Sequence, residues 1–159
     1  MKIANYANDH LDSFDRKILS VVSRNARITV TELSNQVGLS KTPCHARMKR
    51  LEQNGYILGY HAVLDPVKLG IDHIAFVEVK LSDTRARALK EFNEAVRQLP
   101  QVDQCHMIAG GFDYLMKVRT SNIADYRIFL GETLSMLPHV AQTSTYVSME
   151  AVKDTAILA

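Results

Sequence analysis

The sequence predicts an α+β protein: an N-terminal winged helix-turn-helix followed by a ferredoxin-like βαββαβ domain. Three observations predict it. Between Thr31 and Leu51 two short helical stretches meet at Val37-Gly38-Leu39, and the second carries Lys41, Arg47, Lys49 and Arg50 before its first acid at Glu52. Beyond His73 the apolar pattern alternates between a period of about two and one of about 3.6, in the order strand, helix, strand, strand, helix, strand. The charge is also split. Residues 1–65 hold nine Lys and Arg against six Asp and Glu, a balance of +3, while residues 66–159 hold ten against eleven, a balance of −1. A weakly basic head on a near-neutral body suits a DNA-binding head on a sensing or assembly body.

Residues 1–10 are polar and unpatterned and read as a frayed arm. Residues 11–65 read as the head. Asp12 or Ser13 opens a first helix whose apolar positions Phe14, Ile18, Leu19 and Val22 follow helical spacing to about Arg24. Asn25-Ala26-Arg27 breaks it. Thr31 is expected to cap the second helix, with Glu32 favouring its N-terminal end and Leu33 and Val37 sharing one face. Gly38 turns the chain with a positive φ. Ser40 is expected to cap the third helix, with Pro43 in its first turn, where the missing N–H is harmless. Cys44, Met48 and Leu51 make its buried face, which leaves Lys41, Thr42, His45 and Lys49 for phosphates and base edges. The same pattern also suits an ordinary helical hairpin with a solvated basic face. Asn54-Gly55 ends the unit, and the β-formers on either side of Gly59 predict a small hairpin, a wing, before Asp65-Pro66. Residues 66–72 form a connector.

The body spans 73–159. Strands are expected over His73–Leu81, Val102–Ala109, Tyr114–Arg119 and Val140–Met149, and helices over Thr84–Leu99 and Ile123–Leu137, the last stopped by Pro138. Both helices cover one face of an antiparallel sheet. The other face is partly apolar and needs a cover, for which a second copy of the chain is the simplest candidate.

Composition excludes several classes. With 47 % apolar residues the chain can bury a core, and a net charge of +2 is too small for coating nucleic acid by electrostatics alone. Cys44 and Cys105, with no CxxC, read as buried free thiols in a reducing compartment. The six histidines are scattered, so no metal site is expected. No signal-peptide layout and no membrane-spanning run is present, which predicts a cytoplasmic protein with no membrane partner.

The chain resembles the Lrp/AsnC family, the leucine-responsive and feast/famine regulators, and within it the leucine-responsive branch and the proline-catabolism activators. The likeness rests on LDSFDRKIL, on ITVTELSNQVGLSKTPCHARMKRLEQNGYILGY and on GGFDYLMKVRTSNIADYRIFLGETLSMLPHV. The resemblance implies a DNA-binding transcriptional regulator of amino-acid metabolism. It implies dimerisation through the strand beside the head and through the body, and further assembly, commonly to an octamer. It also implies a free amino acid as effector, bound between subunits, and no other cofactor. Carried over by position, the effector site is Ala109, Gly110, Gly111, Phe112, Asp113 and Tyr114, with Thr143 and Thr145 facing the pocket from a neighbouring subunit. Glycine-turn N–H groups suit a carboxylate and Asp113 suits an ammonium. From the residues alone, a plain hairpin turn at Gly110-Gly111, with Asp113 as a turn residue, is the favoured reading, and the resemblance reverses it. Many relatives have Gly-Asp-Tyr-Asp where this chain has Gly110-Gly111-Phe112-Asp113, so an acid and a phenol hydroxyl are missing.

On the DNA side Ser40, Thr42 and His45 are assigned to base edges, and Lys41, Lys49 and Arg50 to phosphates. Arg47 either touches DNA or braces the first helix through an acid such as Asp15. Two rival readings remain. One is an architectural DNA-wrapping protein with little ligand control. The other is an enzyme like the sirohaem decarboxylases that share the fold, for which His61, His106 and Tyr146 form no constellation; no catalytic residue is expected.

Overall fold

A computed structural model of the chain describes residues 11–154. The expected arm over residues 1–10 lies outside the described residues. The described chain forms two compact units that divide between His61 and Ala62.

In the first unit, α1 (Ser13–Val22), α2 (Val30–Val37) and α3 (Lys41–Gln53) close around Ile18, Val22, Leu33, Val37, Cys44 and Leu51. Asp12 caps α1 in a reciprocal box with Asp15, each carboxylate accepting the other's backbone N–H at 2.9 and 3.1 Å. The cap of α2 is Thr29 rather than Thr31. Its hydroxyl accepts the Glu32 N–H, and the Glu32 carboxylate accepts the Thr29 N–H. Thr29 sits three residues before Glu32, the spacing that a capping box requires, and Thr31 lies inside the helix. Gly38 ends α2 at φ +80°, with its N–H on the Ser34 carbonyl. Ser40 occupies the cap position of α3 in extended conformation, but its side chain makes no capping hydrogen bond.

Among the described residues no strand forms over residues 56–65, so the two-stranded hairpin expected in this segment is not observed. The Tyr60 hydroxyl donates to the Glu52 carboxylate on α3 at 2.8 Å, while Leu58 and Val63 stand 95 % and 76 % exposed. The β-formers are there, and Ile57 packs against the head core, but among the described residues the segment finds no ladder partner.

The second unit contains β1 (His73–Leu81), α4 (Ala86–Val96), β2 (Val102–Met107), β3 (Tyr114–Thr120), α5 (Ile123–Glu132) and β4 (Val140–Val147), with a 3₁₀ turn at Leu134–Met136. The sheet order β2-β3-β1-β4, antiparallel throughout, is the ferredoxin-like arrangement. The expected helix over Ile123–Leu137 is interrupted at Thr133, whose φ of −123° and ψ of −61° leave the helical basin. Ala75, Val77 and Val79 pack against Phe92, Val96, Tyr126 and Phe129 from the helices, with Met116 and Val118 of β3 beside them. Alternation therefore turns Phe76, Glu78 and Lys80 to the open face.

Candidate nucleic-acid interface and effector site

The head sorts its cations by helix face. Lys41, His45 and Lys49 fall at i, i+4 and i+8 on α3, with Thr42 beside them, and all four are exposed. Ser40 is exposed at the N-cap, next to this stripe. The buried edge, Cys44 and Leu51, lies on the opposite side. The stripe therefore presents donors and charge outward on a rigid element, as major-groove reading requires.

Arg47 and Arg50 leave this stripe. Arg47 Nη1 donates to Asp12 at 2.6 Å and to Asp15 at 2.9 Å, and Arg50 Nη2 donates to the other Asp15 oxygen at 2.6 Å. The Asp15 side chain is only 1 % exposed, so two guanidinium groups neutralise a buried carboxylate. The Arg47 guanidinium also lies 5.6 Å from the Phe14 ring centroid. The choice left open for Arg47 falls to the brace. Arg50, expected on phosphate, shares it, because α1 and α3 cross where Asp15 is the nearest anion. The Asp15 N–H, followed by Arg47, holds the Asp12 carboxyl below its usual range despite an opposing desolvation effect.

In the body, the turn Ala109–Asp113 joins β2 to β3, tied by the Ile108 N–H on the Asp113 carbonyl at 2.8 Å. Asp113 is anchored twice to β1. Its N–H donates to the Val79 carbonyl at 2.9 Å, and its Oδ2 accepts the Leu81 N–H at 2.7 Å. One carboxylate oxygen is thus committed to satisfying β1 at its register shift between Lys80 and Leu81. Tyr114 begins β3 and is buried against Phe92, ring centroids 4.5 Å apart. Thr143 and Thr145 pair with Val79 and Val77, on the helix side of the sheet, and Thr145 Oγ1 lies 2.6 Å from the Tyr126 hydroxyl of α5. Within one chain the two threonines and the turn residues Gly111 and Phe112 do not meet on one face.

Among the described residues, two hollows of this unit bear on the effector site. One of about 760 Å³ lies at the far end of the β2–β3 hairpin from the turn, among Arg97, Gln101, Asp103, Arg119, Thr120 and Asp125. Its buried charges already satisfy one another: Arg119 pairs with Asp103 at 2.9 Å and with Asp154 at 2.8 Å. The other, about 260 Å³, adjoins the turn and is lined by Glu78, Lys80, Gly111, Phe112, Gln142 and Ser144. Although smaller, it is the one at the turn that carries the effector expectation. Glu78 and Lys80 reach it because the alternation of HIAFVEVKL sets them on the face opposite Val77 and Val79. Among the described residues, no group of three or more His, Cys, Asp or Glu could hold a metal ion, and no helix is long and apolar enough to cross a membrane.

Two family profiles match. A winged helix-turn-helix DNA-binding profile covers residues 11–57, and the Lrp/AsnC ligand binding domain covers residues 74–158. The chain belongs to the Lrp/AsnC family. It is 61 % identical to a proline dehydrogenase transcriptional activator of Rhizobium radiobacter, over 96 % of this chain and 97 % of that protein. It is 46 % identical to the leucine-responsive regulatory protein of Escherichia coli K12, over 91 % of this chain and 88 % of that one. Among solved structures it superposes on a transcriptional regulator of Neisseria meningitidis in complex with L-Met. That match has a TM-score of 0.86 and 32 % identity, covering 93 % of this chain and 96 % of that one. This Lrp/AsnC chain is therefore a DNA-binding transcriptional regulator, and the relatives named are regulators rather than enzymes.

Proposed function

We propose that this regulator activates transcription of a proline dehydrogenase gene in the cytoplasm, in response to a free amino acid, L-proline first. The observation that carries the reading is the near full-length, 61 % identity to an activator of that gene. An enzyme that consumes proline is useful when proline is present, so its substrate is the economical signal. That a Neisseria relative was crystallised with L-Met supports an amino-acid effector in this family.

In this reading α3 lies in the major groove. Thr42, His45 and Ser40 read base edges, Lys41 and Lys49 hold phosphates, and Arg47 and Arg50 keep α3 docked on α1. Residues 11–65 serve as the head, 66–72 as the connector and 73–159 as the sensing body. The exposed apolar run through Leu58 and Val63 and the open sheet face at Phe76 and Tyr146 suit a second copy, with further assembly towards an octamer.

The test is binding of the full-length protein to proline dehydrogenase promoter DNA and to random DNA, with and without L-proline. Lys49→Glu is expected to weaken both complexes alike, and His45→Ala to narrow the gap between them. Equal losses for both variants on both DNAs overturn this division of labour. Affinity and assembly indifferent to all twenty amino acids would favour the architectural reading.

A further inference from the structure

The outer face of α1 carries charge that the fold does not use. Between Arg16 and Thr31 the chain holds four cations, Arg16, Lys17, Arg24 and Arg27, and no acid. All four are exposed, as are Ser13 and Ser20. Ser13, Lys17, Ser20 and Arg24 fall at i, i+4, i+7 and i+11, a stripe on the side of α1 opposite Ile18 and Val22, and Arg16 borders it. The side of α1 that meets α3 is the Asp15 side, through Arg47 and Arg50. The stripe therefore faces away from α3 and from its Lys41, His45 and Lys49.

Nothing in the described head neutralises this face. Among the described residues, every ion pair of the head belongs to Arg47 or Arg50, which take Asp12 and Asp15. Glu32 is held by Thr29. The surface of α4 is built otherwise: Arg87 meets Glu91 at 2.8 Å and Lys90 meets Glu94 at 3.7 Å, each one turn on. Two cations of the α1 stripe are also held in place. Arg24 donates from Nε to the Ser20 carbonyl and from Nη2 to the Ser20 hydroxyl, both at 3.0 Å. Lys17 Nζ lies 5.7 Å from the Phe14 ring centroid.

The composition of the face selects its partner. Arg, Lys and Ser are side chains that donate to phosphodiester oxygens. Large apolar side chains, which anchor protein interfaces, are absent from the exposed positions of α1 among the described residues. Lys17 and Arg24 are seven residues apart, about 10.5 Å of helix, which matches about three nucleotide steps of 3.4 Å along one DNA strand. We propose that the outer face of α1 is a second DNA contact, blind to sequence, which holds the phosphates of a duplex segment other than the one in which α3 is seated. This rests on α3 occupying the major groove, as read above, and one head then touches two duplex segments.

The experiment uses full-length protein saturated with unlabelled promoter duplex, which occupies α3, and titrates it with a fluorescent duplex of random sequence. Anisotropy reads capture of the second duplex, which wild type is expected to show. Arg16→Gln/Lys17→Gln/Arg24→Gln should weaken capture about tenfold or more and lower its salt slope by about 2.7, or about 0.9 for each charge removed. Its affinity for the promoter duplex alone should hold within about twofold, because α1 is about 10 Å thick and the Debye length at physiological salt is about 8 Å. Arg16→Lys/Arg24→Lys keeps the charge and should keep capture. Lys49→Gln should weaken promoter binding and spare capture at saturating promoter duplex. Glutamine is a good helix former and the α1 positions are exposed, so circular dichroism should be unchanged. Capture undiminished in the glutamine variant, or absent from wild type, overturns this inference and leaves α3 in the groove. A glutamine variant that loses promoter affinity in step with capture puts both contacts on one duplex and overturns it too. Polyglutamate captured as tightly as the duplex at equal salt overturns it in favour of an acidic protein surface. Promoter binding intact in Lys49→Gln overturns the reading of α3 instead.

Discussion

Asp15→Asn tests the claim that the two arginines of α3 serve the fold before they serve DNA. The carboxylate is 1 % exposed and accepts 2.6 and 2.9 Å hydrogen bonds from Arg50 and Arg47. Each hydrogen bond to a charged group contributes about 1.5–3 kcal/mol when both partners are dry. These partners are not: Arg47 is 27 % and Arg50 44 % exposed, so water recovers much of the loss when the charge is removed. Asparagine also keeps an oxygen for the Asp12 N–H. The net cost should be about 2 kcal/mol, well below that of stranding a fully buried charge. For a small unit this corresponds to a fall in melting temperature of about 10 °C. Urea unfolding followed by far-UV circular dichroism measures it, with Arg50→Gln and the double variant closing a thermodynamic cycle. A coupling of about 1 kcal/mol or more is expected. Strict additivity, or a loss under about 0.5 kcal/mol, would refute the brace and return Arg50 to the phosphates.

Three further outcomes follow from the same geometry. Gly38→Ala should cost about 1 kcal/mol in urea unfolding, because φ is +80° while nothing lies within 4 Å of an added Cβ, so the loss is backbone strain alone. The carboxyls of Asp12 and Glu32 are lowered chiefly by the backbone N–H groups of Asp15 and Thr29. Their contribution is complete above the ordinary carboxylate range and is lost as pH falls through the lowered values. Head stability should thus be flat from pH 7 to 5 and drop below 4, and Asp12→Ala should flatten part of that drop. Burial pushes the Cys105 thiol up to about 11 and raises Cys44 as well, so both should react slowly with a disulfide reagent at pH 8 and quickly in urea.

Local signals were legible where one residue decides local geometry. Gly38, Pro43 and the Asn54-Gly55 end of α3 are read from single side chains and their backbone preferences, and the alternation of HIAFVEVKL gives both faces of β1. The capping of α2 was misplaced by two residues because Thr29 and Thr31 offer the same hydroxyl, and only the distance to Glu32 separates them. The hairpin at Gly59 was over-read because β-propensity says what a segment can pair with and not whether a partner strand is present.

The site followed the same division. The outward stripe of α3 depends on helical spacing and could be counted along the sequence. Which cations stay on that stripe depends on α1 crossing α3 more than thirty residues away, and Asp15 takes Arg47 and Arg50 out of it. At the turn, roles carried over by position assumed that both oxygens of Asp113 are available to a ligand. The hydrogen bond from Leu81 commits one of its oxygens to β1 instead. An acid that holds the scaffold cannot give all its acceptors to an ammonium.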